Sequence, residues 1–144
     1  MTHSQAPLPI VVTYEGGLRF AAQVRSHRVV VDQPRGTGGD DSAPTPIEML
    51  GVSLSTCVAY YVQRFCHARG IAYEGMRVET EQVSAGASPA RIGKFAVRVI
   101  LPVELPAHQA EMLGRAARSC PAHNTLTHGA EVDVQIGSEI LASV

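Results

Sequence analysis

The chain has 144 residues and a net charge of −1. That length fits one domain, 1–144, and the near-zero charge gives no electrostatic footprint for nucleic acid or an anionic membrane. Cys57, Cys66 and Cys120 make an odd count, and no basic N-terminal region leads into an apolar run, so a reducing, cytoplasmic setting is expected rather than a disulfide framework. In such a setting a thiol pair reads as catalytic, redox-sensing or metal-binding. With no Trp and aromatic residues at 5%, a stacking surface for bases or sugars is not expected.

Residues 1–9 are polar with Pro7 and Pro9 and read as a frayed arm. Ile10 to Tyr14 and Leu18 to Val24 read as strands, joined by a turn at Glu15-Gly16-Gly17. Arg25-Ser26-His27 is the next turn, and Arg28 to Asp32 a third strand rich in valine. Residues 33–46 are dense in Gly and Pro, which forbids helix or ladder. A loop of that length is either functional or an ordinary surface connector.

The stretch from Pro44 to Val62 organises the rest. Thr45 with Glu48 three residues on is a capping box, and Pro46 stands at the first helical position. The helix runs to about Ala68 and stops at Arg69-Gly70. It is apolar on every side, which marks a buried central helix. It is too short and too interrupted by Ser53, Ser55 and Thr56 to span a membrane. So short a chain cannot cover such a helix alone, which points to a second subunit.

Met76 to Val83 is a strand, Ser84 to Ser88 with Pro89 a turn, and Ile92 to Leu101 a strand with Phe95, Val97, Val99 and Leu101 on one face. Ala107 to Ser119 is a helix with Met112, Leu113, Ala116 and Ala117 as its apolar stripe. Pro121 ends it and starts a short helix. Glu131 to Ile136 is the last strand, with Val132, Val134 and Ile136 on one face. The order βββ–α–ββ–α–β, with strands in antiparallel neighbours, is an α+β fold.

Cys57 and Cys66 lie nine residues apart on one helix, on opposite sides at about 100° per residue, so they cannot pair. Cys66 reads as packing, and its neighbour His67 as solvated. Cys120 stands at the N-cap of the short helix, where amide N–H groups and the dipole lower a thiol pKa. His123, on the same side, can add charge or accept a proton. On these grounds Cys120 is the better-activated thiol and Cys57 the better-buried one. A buried thiol is inert unless the fold brings a cation, for which Arg19 and Arg35 are the candidates. A zinc reading would draw on Cys120, His123 and His128 with Cys57 or His67, but the spacing builds no closed site. No Gly-x-Ser-x-Gly elbow and no Cys-x-x-Cys is present, which argues against a serine hydrolase and a thioredoxin-type enzyme.

Pro44-Thr45-Pro46-Ile47-Glu48-Met49-Leu50 followed by Ser55-Thr56-Cys57, and then Ser119-Cys120-Pro121-Ala122-His123-Asn124-Thr125-Leu126, together resemble the OsmC/Ohr family. Gly36-Thr37-Gly38-Gly39-Asp40 and Gly16-Gly17-Leu18-Arg19-Phe20 are similar to its OsmC-like branch, and the likeness covers roughly residues 10–137. The resemblance implies an intertwined homodimer, with antiparallel sheets of both subunits wrapped around two buried central helices and active sites at the interface. It implies a thiol peroxidase that reduces organic hydroperoxides in oxidative-stress defence, without a bound cofactor or metal. Cys57 would be the peroxidatic thiolate, oxidised to a sulfenic acid. Cys120 would resolve it as a disulfide, and a lipoyl-type dithiol would restore both thiols. An Arg and a Glu activate the sulfur in the family; Arg19 and Glu48 are the candidates here. The family's peroxidases carry that Glu ten residues before the cysteine, where this chain has Ile47, and Glu48 stands nine before. The other reading is a non-enzymatic redox-sensing or ligand-binding dimer on the same scaffold.

Overall fold

The computed structural model of the chain describes residues 9–137. The N-terminal arm expected over 1–9 therefore lies, except for Pro9, outside the described residues. The order is β1 (Val11–Gly16), β2 (Arg19–Val24), β3 (His27–Val31), α1 (Pro46–Ala68), β4 (Arg77–Ala87), β5 (Ala90–Ile100), α2 (Ala107–Arg118) and α3 (Pro121–His128). This is the α+β arrangement read from the sequence. The described residues divide into two compact units: one holds residues 9–56 with Val78–Ile100, the other Cys57–Arg77 with residues 101–137.

In the first unit, β1, β2 and β3 form an antiparallel meander in chain order. Tyr14 pairs with Phe20, and Gly16 with Arg19, with a register shift between them. Gly16 and Gly17 both take positive φ, as the hairpin signal requires. The second turn is tighter than expected, because Val24 pairs directly with His27 and Arg25 adopts φ 55°.

The loop after β3 is more ordered than its composition suggests. A single 3-10 turn occupies Arg35–Thr37, between extended Pro34 and left-handed Gly38. Three residues are short enough for a 3-10 turn where a longer helix would break. The loop then folds back on its own start. Asp32 N–H donates to the Pro44 carbonyl at 3.2 Å, and Asp41 N–H to the Gln33 carbonyl at 3.0 Å. The Asp32 carboxylate, 1% exposed, accepts from Gln33 N–H (2.7 Å), Ser42 N–H (3.0 Å) and Ser42 Oγ (2.7 Å). These bonds to the ionised form, those from Ser42 first, lower its pKa to about 2.

Both ends of α1 form as the sequence signals. Thr45 N–H donates to Glu48 Oε2 at 2.7 Å, and Glu48 N–H to Thr45 Oγ1 at 3.1 Å. At the other end Ile71 N–H reaches the Cys66 carbonyl (3.0 Å) and Gly70 N–H the His67 carbonyl (3.4 Å), with Gly70 at φ 65°. That pair of bonds is a Schellman cap. The helix is not buried on every side within this chain. Leu54, Val58, Val62 and Phe65 form one buried stripe, while Ile47, Leu50, Val52 and Tyr60 stay exposed.

The last two strands differ from expectation in length. β4 runs on through Ser84–Ala87, which was expected to turn, and the connection to β5 is only Ser88-Pro89. Val78, Thr80 and Gln82 form the half-buried face of β4, and the strand is exposed beyond Gln82. Glu131 to Ile136 forms no strand here, and Val132, Val134 and Ile136 are 80%, 78% and 98% exposed. The alternation is genuine but a strand needs an edge to pair with, and these residues pair with none among the described residues.

Candidate active site

Cys57, Cys120 and His123 all belong to the second unit. α1 carries Cys57 immediately before buried Val58, so it lies about 100° round the helix from the stripe of Val58 and Val62. α3 carries the other two. Cys120 is the N-cap of α3, Pro121 its first helical residue, and the Cys120 sulfur accepts His123 N–H at 3.3 Å. Pro121 has no N–H to lose at that position.

The two thiols meet. Both are free, and the Cys120 side chain lies within hydrogen-bonding reach of the Cys57 sulfur. Their burial is the reverse of the expectation from sequence: Cys57 is half-buried and Cys120 fully buried. The expected activation of Cys120 is not found. Burial first, with the Cys57 sulfur alongside, pushes the Cys120 thiol up, and the amides of His123 and Ala122 offset only part of this. Removal from water outweighs two amide dipoles because desolvation acts on the whole thiolate charge, whereas each N–H supplies a partial charge. The structure therefore offers a sheltered Cys120, its thiol pushed up by burial, beside a more accessible Cys57.

Cys66, the third thiol, is also fully buried, and burial likewise raises its pKa. His123 Nδ1 is shut off from solvent and has no hydrogen-bond partner among the described residues. His128 Nδ1 contacts the Asn124 carbonyl at 3.0 Å, and His67 Nδ1 the Tyr73 hydroxyl at 3.4 Å. Among the described residues, no three His, Cys, Asp or Glu side chains converge as a metal-binding set.

Arg19 and Glu48, the candidates for activating Cys57, lie in the first unit. Arg19 Nε donates to Glu15 at 3.1 Å and Nη1 to Ser42 Oγ at 2.8 Å, while Arg28 pairs with the other Glu15 oxygen. Two guanidinium groups on one carboxylate, Arg28 first, hold Glu15 below the usual carboxylate range. Through Ser42 the network continues to Asp32. Sequence reading missed Asp32 and Ser42 because nothing in their local pattern marks a buried carboxylate. Arg35 opens the 3-10 turn, and Glu48 is engaged in the capping box. Also unforeseen is a cavity of about 520 Å³ in the first unit, between Glu48, Gly51, Ser55 and Thr56 of α1 and Thr80 and Gln82 of β4. Ser55 and Thr80 share a hydrogen bond of 2.7 Å at its wall.

The family model described as OsmC-like protein matches residues 39–135. No curated protein matches the chain significantly. Among solved structures, a protein from Psychrobacter arcticus described as an osmotic stress induced and detoxification response protein aligns with TM-score 0.76 at 23% identity, covering 86% of this chain and 91% of its own. An organic hydroperoxide resistance protein OsmC from Legionella pneumophila aligns with TM-score 0.61 at 20% identity, covering 85% and 91%. An organic hydroperoxide resistance protein from Elizabethkingia anophelis aligns with TM-score 0.55 at 19% identity, covering 82% and 87%. At these identities the solved structures show the fold, and both motifs that carry the thiols lie within the matched residues. The chain belongs to the OsmC-like family.

Proposed function

We propose that the chain is a thiol-dependent peroxidase that reduces organic hydroperoxides with two cysteines. One observation carries this reading: the buried Cys120 thiol lies within hydrogen-bonding reach of the more accessible sulfur of Cys57. The Cys57 thiolate attacks the distal peroxide oxygen. The O–O bond breaks, an alcohol leaves, and Cys57 becomes a sulfenic acid. Cys120 then attacks the Cys57 sulfur, giving a disulfide and water. A dithiol of the lipoyl type reduces the disulfide by exchange. Keeping Cys120 protonated until then protects it from direct oxidation, since the thiolate is the reactive form.

In this reading the protein acts in the cytoplasm as a homodimer, in oxidative-stress defence. The exposed apolar side chains of α1, of β1 (Tyr14 is 66% exposed) and of the segment after α3 are what a second copy would cover. Arg19 and Glu48 were candidates for activating Cys57; their side chains are engaged with Glu15, Ser42 and Thr45, so we assign them to the loop network and the helix cap. That same engagement favours the second reading, a redox-sensing dimer whose disulfide is its output. Turnover separates the two. Catalytic consumption of organic hydroperoxide with a dithiol reductant, lost in Cys57→Ser, supports the peroxidase. Stoichiometric oxidation without turnover supports the sensor.

A further inference from the structure

The cavity of the first unit, between α1 and β4, is walled by hydroxyl groups whose protons are already committed. Ser55 Oγ donates to the Gly51 carbonyl at 2.6 Å. A hydroxyl has one proton, so in the 2.7 Å bond between Ser55 and Thr80 it is the Thr80 hydroxyl that donates. Thr56 Oγ1 donates to the Val52 carbonyl at 2.7 Å. What these side chains still offer is lone pairs. The Gln82 amide nitrogen donates to the Ile47 carbonyl at 3.0 Å, and its Oε1 has no partner among the described residues. Gly51 makes that seat possible, because a Cβ there would collide with the Gln82 amide nitrogen. Glu48 gives Oε2 to Thr45 N–H and keeps Oε1 without a partner among the described residues. Among the lining side chains the one uncommitted proton is the second N–H of Gln82. The wall thus presents oxygen acceptors, one of them charged, beside the apolar Val52 and Val78.

We infer that this cavity binds a primary ammonium group on a short alkyl chain. An ammonium brings three donors, a positive charge and no acceptor, which is the complement of this wall. A guanidinium fits less well. Its fork takes both oxygens of a carboxylate, and one oxygen of Glu48 is held in the helix cap. An anion would meet lone pairs and a like charge. The space of about 520 Å³ is in the range of small-molecule sites, and Val52 and Val78 shelter the methylene chain. Such an ammonium has two sources, a free alkylamine or a lysine of a second copy. Lys94, exposed on β5, is the chain's single lysine. The inference stands apart from the peroxidase reading and involves no covalent step.

The probe is n-butylamine, titrated into the isotope-labelled full chain at neutral pH and followed by backbone amide shifts, with n-butanol as the uncharged counterpart. The amine should give saturable shifts at Ser55, Thr80 and Gln82 and bind about tenfold or more tighter than the alcohol, the scale of a hydrogen bond to a charged group. Glu48→Gln should weaken the amine about tenfold or more and leave the alcohol unchanged, since it removes the charge and little else. Thr80→Val, close in shape but without the oxygen, should weaken the amine about threefold to tenfold; if one variant melts unfolded, the other carries the test. Lys94→Ala separates the sources. If it binds the amine as the parent does, the site takes a free amine; if it binds about tenfold tighter, a lysine of a second copy fills the site in the parent. Equal affinity for amine and alcohol in both the parent and Lys94→Ala would overturn the inference. So would shifts that map away from the cavity, a folded Glu48→Gln that binds the amine as the parent does, or parallel weakening of both probes, which marks a structural role.

Discussion

Replacing Glu48 separates helix capping from catalysis. Its carboxylate accepts Thr45 N–H at 2.7 Å while its own N–H donates to Thr45 Oγ1 at 3.1 Å. In Glu48→Ala the first bond is lost and so is a negative charge at the helix N-terminus. Cap loss costs about 1 kcal/mol, and the exposed charge at the dipole about 0.5 kcal/mol more. For 144 residues the unfolding entropy is about 0.3 kcal/mol per kelvin, so the melting temperature should fall about 5 °C. Glu48→Gln keeps an oxygen for the Thr45 N–H and loses only the charge, which predicts a fall of about 1–2 °C. Calorimetric melts check both numbers. Alongside them, stopped-flow oxidation of Cys57 by an organic hydroperoxide should change less than about threefold in Glu48→Gln, because no catalytic charge has gone. A loss of tenfold or more with an unshifted melt would refute the assignment, and Glu48 would then be the acid that activates Cys57.

Further outcomes follow from single observations. A Cβ at Gly39 would overlap the Gln33 carbonyl, which already accepts from Asp41 N–H; Gly39→Ala should destabilise the fold by about 2 kcal/mol, seen as a melt lowered by about 6–7 °C. Asp32 falls from an ordinary 3.8 to about 2 on folding, so its contribution is full above about pH 4 and is lost as the pH falls through 2. Asp32→Asn should therefore be less stable at pH 7 and show a flatter acid limb in denaturant titrations between pH 4 and 2. Cys120→Ser leaves an oxygen to accept His123 N–H, so its melt should stay within about 2 °C. Its Cys57 sulfenic acid should persist long enough to be trapped by a cyclic diketone.

Local signals in the sequence were read where the physics is local. The Thr45–Glu48 box, the Gly70 cap, both meander hairpins and the Pro121 restart all depend on neighbouring residues, and all formed. What depended on tertiary burial was not legible. The sequence pattern placed Cys120 at a helix N-cap, which the structure bears out, but whether water reaches that sulfur is decided by packing, and packing made Cys120 the more buried of the two thiols. Asp32 looked like the end of a strand, yet it fastens a loop whose other end lies ten residues on, at Ser42. The apolar girth of α1 and the alternation at Val132, Val134 and Ile136 were visible, but the described residues supply neither full cover for the helix nor a pairing edge for the segment.

The central claim is that Cys57 and Cys120 form one redox unit driven by organic hydroperoxide. The most direct measurement mixes reduced protein with one equivalent of an organic hydroperoxide and follows the products by time-resolved, non-reducing mass analysis. The account predicts a Cys57 sulfenic acid that converts to a Cys57–Cys120 disulfide, with Cys66 unmodified and the oxidation far faster than that of a free thiol. Oxidation at free-thiol rates, or a disulfide that leaves Cys120 unpaired, would contradict it.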